Sequence, residues 1–211
     1  MKKIAITQRL IFNDSYYEVR EALDIRWGLL FKELDFLPIV LPIECDYEKY
    51  FELVGIDGIL LTGGNDLNIV KEDDISQKRD VFEKSIIEYG IKKDIPIFGV
   101  CRGMQIIAEY FKAEFIAVDN QTAIRHKLTI NKESKYCDVL NQIDEVNSFH
   151  NYAIKNIGKE FLVSCTNKDG MIKAIEHKEY KIFAQMWHSE REEPFSKIEL
   201  NLIKKFFNNG E

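Results

Sequence analysis

The sequence lacks the features that mark several large protein classes. No apolar run approaches the length of a transmembrane helix. Ile4-Ala5-Ile6 follows Met1-Lys2-Lys3 as in a signal peptide, but Thr7-Gln8-Arg9 breaks the run too early for an h-region. There are only four cysteines, Cys45, Cys101, Cys137 and Cys165, with no CxxC spacing. They fit a reducing, cytoplasmic setting in which most act as small core residues. The four histidines are scattered singly too, so no metal-ligand spacing is present and no metal is expected. No block of basic residues occurs and the net charge is −6, so the basic stripe of a nucleic-acid binder is missing. An acidic chain can still hold an acidic ligand in a locally basic pocket. There is no internal repeat, low-complexity tract or Pro/Gly-rich linker. With 211 residues, 45% hydrophobic and 30% charged, the chain reads as one soluble domain spanning 1–211.

Short apolar runs alternate with helical patterns in the first half. Strands are expected at 3–8, 38–41, 58–61 and 95–100, and helices at 16–35, 79–92 and 103–111. Continuous apolar strands separated by helices imply a parallel sheet covered on both faces. The second half changes to strand candidates at 123–130, 145–149, 161–164, 172–176 and 181–187. A closing helix at 193–207 has Pro194 in its first turn. The expected fold is α/β: an open, mostly parallel sheet flanked by helices, with an antiparallel extension.

The stretch Ile97-Phe98-Gly99-Val100-Cys101-Arg102-Gly103-Met104-Gln105 carries the most chemistry. An apolar strand runs into Gly-x-Cys-x-Gly and then a helix, the nucleophile-elbow pattern with Cys for Ser. The strained turn requires tiny residues two positions either side, which Gly99 and Gly103 supply. It would expose Cys101 at the carboxyl end of the strands and at a helix N-terminus, which favours thiolate. The Arg102 amide would face a developing oxyanion.

A thiolate needs a base that also protonates the leaving amine. In Phe183-Ala184-Gln185-Met186-Trp187-His188-Ser189-Glu190, an apolar strand ends in Trp and releases His188 two residues before a carboxylate able to orient it. His126 lies within a strand pattern and His150 near a strand end. His177, between Glu176 and Lys178, reads as part of a solvated turn. The buried strand Gly58–Leu61 ends in Thr62-Gly63-Gly64-Asn65-Asp66. Adjacent glycines let backbone amides approach a ligand, so Gly64 is the candidate for a second oxyanion amide.

Leu61-Thr62-Gly63-Gly64-x-Asp66, Gly99-Val100-Cys101-Arg102-Gly103-Met104-Gln105, Val146-Asn147-Ser148-x-His150 and Gln185-Met186-Trp187-His188-x-Glu190 stand in the order found in class I glutamine amidotransferase-like proteins. The Cys-Arg-Gly-x-Gln and Val-Asn-Ser-x-His forms resemble the branch of stand-alone γ-glutamyl hydrolases. The resemblance covers the chain from about residue 1 to its end. It implies a Cys101–His188–Glu190 triad, a glutamyl thioester and no cofactor. It further implies that Gln105, Ser148, Phe149 and His150 hold the α-amino and α-carboxylate groups of a small γ-glutamyl substrate. Ammonia transfer to a synthetase is an alternative that would need a partner chain, and a non-catalytic glutamyl-binding domain is another. The sequence departs from the family at Ser189, where Pro is usual, at Phe111-Lys112-Ala113, where a glycine pair is common, and at Asn151-Tyr152. The whole-chain resemblance implies a nucleotide phosphoramidate of capsule synthesis as leaving group. Arg9, Arg20, Arg102 and Arg125 are the cations available for it, with Arg9 or Arg102 expected to make the contact.

Overall fold

A computed structural model describes residues 1–208. Strand β1 (Lys2–Ile6) leads into a hairpin of β2 (Arg9–Asn13) and β3 (Glu18–Ala22), then α1 (Ile25–Leu34) and β4 (Phe36–Val40). Helix α2 (Tyr47–Tyr50) continues as a π-helical turn (Phe51–Gly55) before β5 (Gly58–Leu61). Next come α3 (Asp74–Lys92), β6 (Ile97–Val100) and α4 (Arg102–Tyr110). The second half holds β7 (Glu114–Ala117), β8 (Thr122–Ile130), α5 (Cys137–Leu140), β9 (Glu145–Phe149), β10 (Tyr152–Asn156), β11 (Phe161–Asn167), β12 (Ile172–His177) and β13 (Ile182–Gln185). A 3₁₀ turn (Ser189–Arg191) and α6 (Lys197–Asn208) follow.

The main sheet has nine strands in the order β4-β1-β5-β6-β13-β12-β11-β8-β9. From β4 to β13 all pairings are parallel; from β13 to β9 all are antiparallel. The expected parallel core and antiparallel extension are both present. β5, β6 and β13 are buried at every position, which explains why their sequences are apolar at nearly every position. Helices cover both faces. A Cβ added at Gly58 would meet Phe207 of α6, whereas Ile59, on the opposite face of the same strand, lies against Gly90 of α3. Phe98 and Phe183 pack against Phe206 of α6, with ring centroids 5.4 and 6.3 Å apart. β6 and β13 are neighbours, so their carboxyl ends bring Cys101 and His188 together although they are distant in sequence.

Several boundaries differ from expectation. Residues 16–35 are not one helix: the first part forms the β2–β3 hairpin and α1 starts only at Ile25. Asp24 is the cap, its carboxylate accepting from the Arg26 amide at 2.9 Å. Val19 fits a helical stripe by spacing yet is exposed, because the hairpin stands outside the main sheet. Helix α3 begins five residues before its first expected position. Its polar first turn hides an Asp73 cap that accepts from the Ser76 amide at 3.0 Å. The last helix starts at Lys197, and Pro194 lies before it rather than in its first turn. The β7–β10 ribbon has no counterpart in the sequence expectations.

Candidate active site

Cys101 links β6 to α4 with φ 53° and ψ −105°, a conformation rare for any residue but glycine. The flanking glycines explain how the turn closes. A Cβ on Gly99 would lie 2.7 Å from the Gly103 carbonyl, and one on Gly103 would lie 2.1 Å from the Leu61 carbonyl oxygen. Both contacts are with backbone and cannot be relieved by a rotamer change. Gly103→Ala should therefore lose stability by about 1–3 kcal/mol, as overpacking does, together with most activity. Urea denaturation checks the first, and an unchanged midpoint would contradict the close-approach argument.

His188 leaves β13 through Met186-Trp187 and is buried, as is Glu190. The His188 Nδ1 and Glu190 Oε1 atoms are 2.6 Å apart. Gly63 permits the packing around them: a Cβ there would lie 2.9 Å from His188 Cε1 and 3.5 Å from Cys101 Cβ. Burial opposes charge on His188, but Cys101 and Glu190 outweigh it and raise its pKa to about 9. The Cys101 thiol also points to the Phe149 carbonyl, 3.8 Å away. Asn147, on β9, clamps the segment from both sides. Its Oδ1 accepts from the His188 amide at 2.9 Å and its Nδ2 donates to the His188 carbonyl at 2.8 Å. At the non-proline position, the Ser189 hydroxyl accepts from Gln185 Nε2 at 2.9 Å, a tie that proline could not make.

The glycine loop is held from below by Arg79, a fully buried side chain. It donates to the carbonyls of Thr62 at 2.9 Å and Gly63 at 3.1 Å, and to that of Gly64. Gly64 itself has φ 83°, and a Cβ there would crowd the Arg9 side chain. Burial lowers the Arg79 pKa to about 10, with Arg102 acting in the same direction. Burial alone would raise the Glu83 pKa, but Arg102 and Arg79 hold it below the usual value. This cluster overturns one expectation. The Arg102 side chain is buried and paired with Asp80 and Glu83, so it does not reach an external anion. Only its backbone, at the first turn of α4, remains beside Cys101.

A cavity of about 250 Å³ opens beside Cys101. Gly64, Gln105, Phe149, His150, His188 and Arg9 line it, as do Asn151 and Arg191. Gln105 Nε2 donates to the Tyr152 carbonyl at 2.9 Å. Ser148 is not among the residues lining the cavity; its side chain is buried, with the hydroxyl 3.4 Å from Lys173 Nζ. Arg20 pairs with Glu18 on the exposed hairpin, and Arg125 pairs with Glu145 at 2.6 Å and Glu192 at 3.0 Å. Neither lines the cavity. His177 is not in a solvated turn. It is buried, its ring stacks on Tyr180 at 4.5 Å, and its Nδ1 accepts two backbone amides. Arg191, which sequence patterns do not single out, reaches the cavity with its guanidinium 4.5 Å from the Phe149 ring centroid. Its position directly after Glu190 is the one signal that could have found it. Asn147 stands inside the Val-Asn-Ser-x-His motif, but nothing local points to its clamp across the sheet.

The fold and the site together are those of class I glutamine amidotransferase-like proteins. The chain belongs to the peptidase C26 family, whose model matches residues 20–190. It is 41% identical over 207 residues to gamma-glutamyl-CDP-amidate hydrolase of Campylobacter jejuni subsp. jejuni serotype O:2, covering 97% of this chain and 96% of that one. It is also 28% identical over 169 residues to a glutamine-hydrolyzing GMP synthase subunit of Thermoplasma volcanium, covering 79% and 76%. Among solved structures, a glutamine amidotransferase from Thermotoga maritima superposes with a TM-score of 0.66 at 16% identity, covering 99% of this chain and 84% of that one. The chain is a hydrolase of this family. Among the described residues, no helix is long and apolar enough to cross a membrane.

Proposed function

We propose that this hydrolase cleaves γ-glutamyl amide bonds and that its substrate is γ-glutamyl-CDP-amidate, within capsule phosphoramidate synthesis. The observation that carries the chemistry is the buried His188–Glu190 contact of 2.6 Å beside a cysteine held on an elbow. The thiolate of Cys101 attacks the γ-carbonyl, and the oxyanion rests on the amides of Gly64 and Arg102. His188 gives its proton to the departing nitrogen, so glutamate stays on sulfur as a thioester. The same ring then takes a proton from water, whose attack on the thioester breaks the C–S bond, releases glutamate and restores the thiolate beside the protonated ring. Glu190 orients the imidazole and balances its charge. Gln105 and His150 hold the glutamyl half. The reaction runs without metal or cofactor, in the cytoplasm, on a chain read as one domain because its sheet draws strands from both halves.

Similarity to part of a GMP synthase supports a second reading, glutaminase action for a partner synthetase. Substrate preference separates the two. The similarity to gamma-glutamyl-CDP-amidate hydrolase and the presence at the cavity of Arg9 and Arg191, neither tied up as Arg102 is by Asp80 and Glu83, favour an anionic leaving group. Arg is suited to this role because its planar fork is always charged. Arg9→Gln or Arg191→Gln should cost about 1–3 kcal/mol in kcat/KM for γ-glutamyl-CDP-amidate, the range of a charge-assisted hydrogen bond. Plain glutamine should be nearly unaffected. A panel of glutamine, γ-glutamyl alkylamines and the nucleotide phosphoramidate tests this. Faster turnover of alkylamides, or equal losses on every substrate, would overturn the anionic pocket. Strong activation by a synthetase on glutamine would favour the second reading.

A further inference from the structure

The turn that carries Glu190 has little of its own to hold it. Where proline would fix φ near about −65°, Ser189 leaves it free. The segment is one 3₁₀ turn, closed by the Arg191 amide on the His188 carbonyl at 3.1 Å. Glu190 bonds His188 through Oε1 alone; its buried Oε2 has no hydrogen-bond partner among the described residues. Arg191 Nε stands 3.8 Å from Oε1, beyond hydrogen-bonding reach. No second bond of the carboxylate therefore fixes the angle at which it meets the ring. That angle depends on where the backbone of residue 190 sits.

Arg26, in the first turn of α1 and 164 residues away in sequence, grips that backbone. Its Nε donates to the Glu190 carbonyl at 3.0 Å and its Nη2 to the Glu192 carbonyl, while Nη1 pairs with the Glu193 carboxylate. Glu193 is exposed, so water screens that pair and it contributes little. The two carbonyl bonds are charge-assisted, and the planar fork places them on either side of Arg191. The Phe195 ring covers the guanidinium, 4.8 Å from centroid to Cζ. The base of the side chain is anchored too. Asp24 caps the Arg26 amide at 2.9 Å, and Trp27, Leu30, Phe31 and Leu34 bury α1 in the core. His188 is thus clamped from β9 by Asn147, and Glu190 from α1 by Arg26.

We propose that Arg26 is a positioning residue of the triad: by holding the Glu190 and Glu192 carbonyls it sets the Glu190 carboxylate against Nδ1 of His188. The inference rests on the triad reading above. In Arg26→Met and Arg26→Gln, kcat should fall about 10- to 100-fold, the scale of a slightly misplaced group, with KM within about threefold. The loss should be equal on glutamine and γ-glutamyl-CDP-amidate, because the triad serves both. Glu190→Ala has no carboxylate to place, so adding Arg26→Met to it should cost less than about threefold more. In proton NMR, the wild-type His188 Nδ1–H should lie far downfield, and Arg26→Met should move that signal upfield or abolish it. A full, additive loss in the Glu190→Ala background, or an unmoved Nδ1–H signal, would overturn the inference. If wild type cleaved neither substrate, or Glu190→Ala left kcat unchanged, the functional reading would fall instead, and the Nδ1–H signal would still decide what Arg26 places. Should Arg26→Met not fold, Arg26→Gln supplies the same readouts.

Discussion

Cys101→Ala should reduce turnover by about 10⁴- to 10⁶-fold, the scale seen when a nucleophile acting as part of a unit is removed, while the fold stays intact. The expectation follows from the elbow. Its strain is set by Gly99, Gly103 and the turn between β6 and α4, not by the sulfur. The thiol's interactions are with the His188 ring and, weakly, with the Phe149 carbonyl at 3.8 Å, so shortening the side chain to a methyl group leaves the turn itself unchanged. Circular dichroism and a denaturation midpoint near wild type should accompany the lost activity. Alkylation should be far faster at Cys101 than at Cys45 or Cys165, where burial raises the thiol pKa. Substantial residual activity in the alanine variant would sink the assignment.

His188→Asn should lose both acylation and deacylation, by about 10⁴-fold or more, because one ring serves both steps. Glu190→Gln should lose less, since it orients the ring without transferring a proton. In the wild type, His188 holds its proton because Cys101 and Glu190 outweigh burial. The acylation rate should fall as pH rises through about 9, where the ring can no longer protonate the leaving nitrogen. Glu190→Gln removes one of those two supports, so the fall should begin at lower pH. Single-turnover kinetics across pH measures both effects. If His150→Asn slowed the chemical step as much as His188→Asn, His188 would lose its place as the base. The His150 ring, with a pKa of about 3, is poorly suited to donate a proton near neutrality.

Much of this site is legible in the sequence because its parts are local. Gly99-x-Cys101-x-Gly103 records a backbone collision within five residues, and His188 and Glu190 are two residues apart on one strand exit. The all-buried parallel strands are legible for a similar reason: β5, β6 and β13 are apolar at nearly every position. What escapes the sequence is non-local. Arg102 reads as a free cation until α3 brings Asp80 and Glu83 against it. Lys173 reads as one more strand lysine until β9 lays Ser148 and the adjoining His150 beside it. The β2–β3 hairpin is hidden because Val19 and Leu23 also fit a helical spacing, and only the Asp24 cap marks where the helix begins.

The most direct test of a cysteine-centred γ-glutamyl hydrolase is peptide mass spectrometry of enzyme treated with a glutamine-analogue electrophile, with and without γ-glutamyl-CDP-amidate. The account predicts one adduct, on the peptide carrying Cys101, suppressed by substrate and absent in Cys101→Ala. An adduct spread over Cys45 and Cys137, or one at Cys101 that substrate does not suppress, would contradict it.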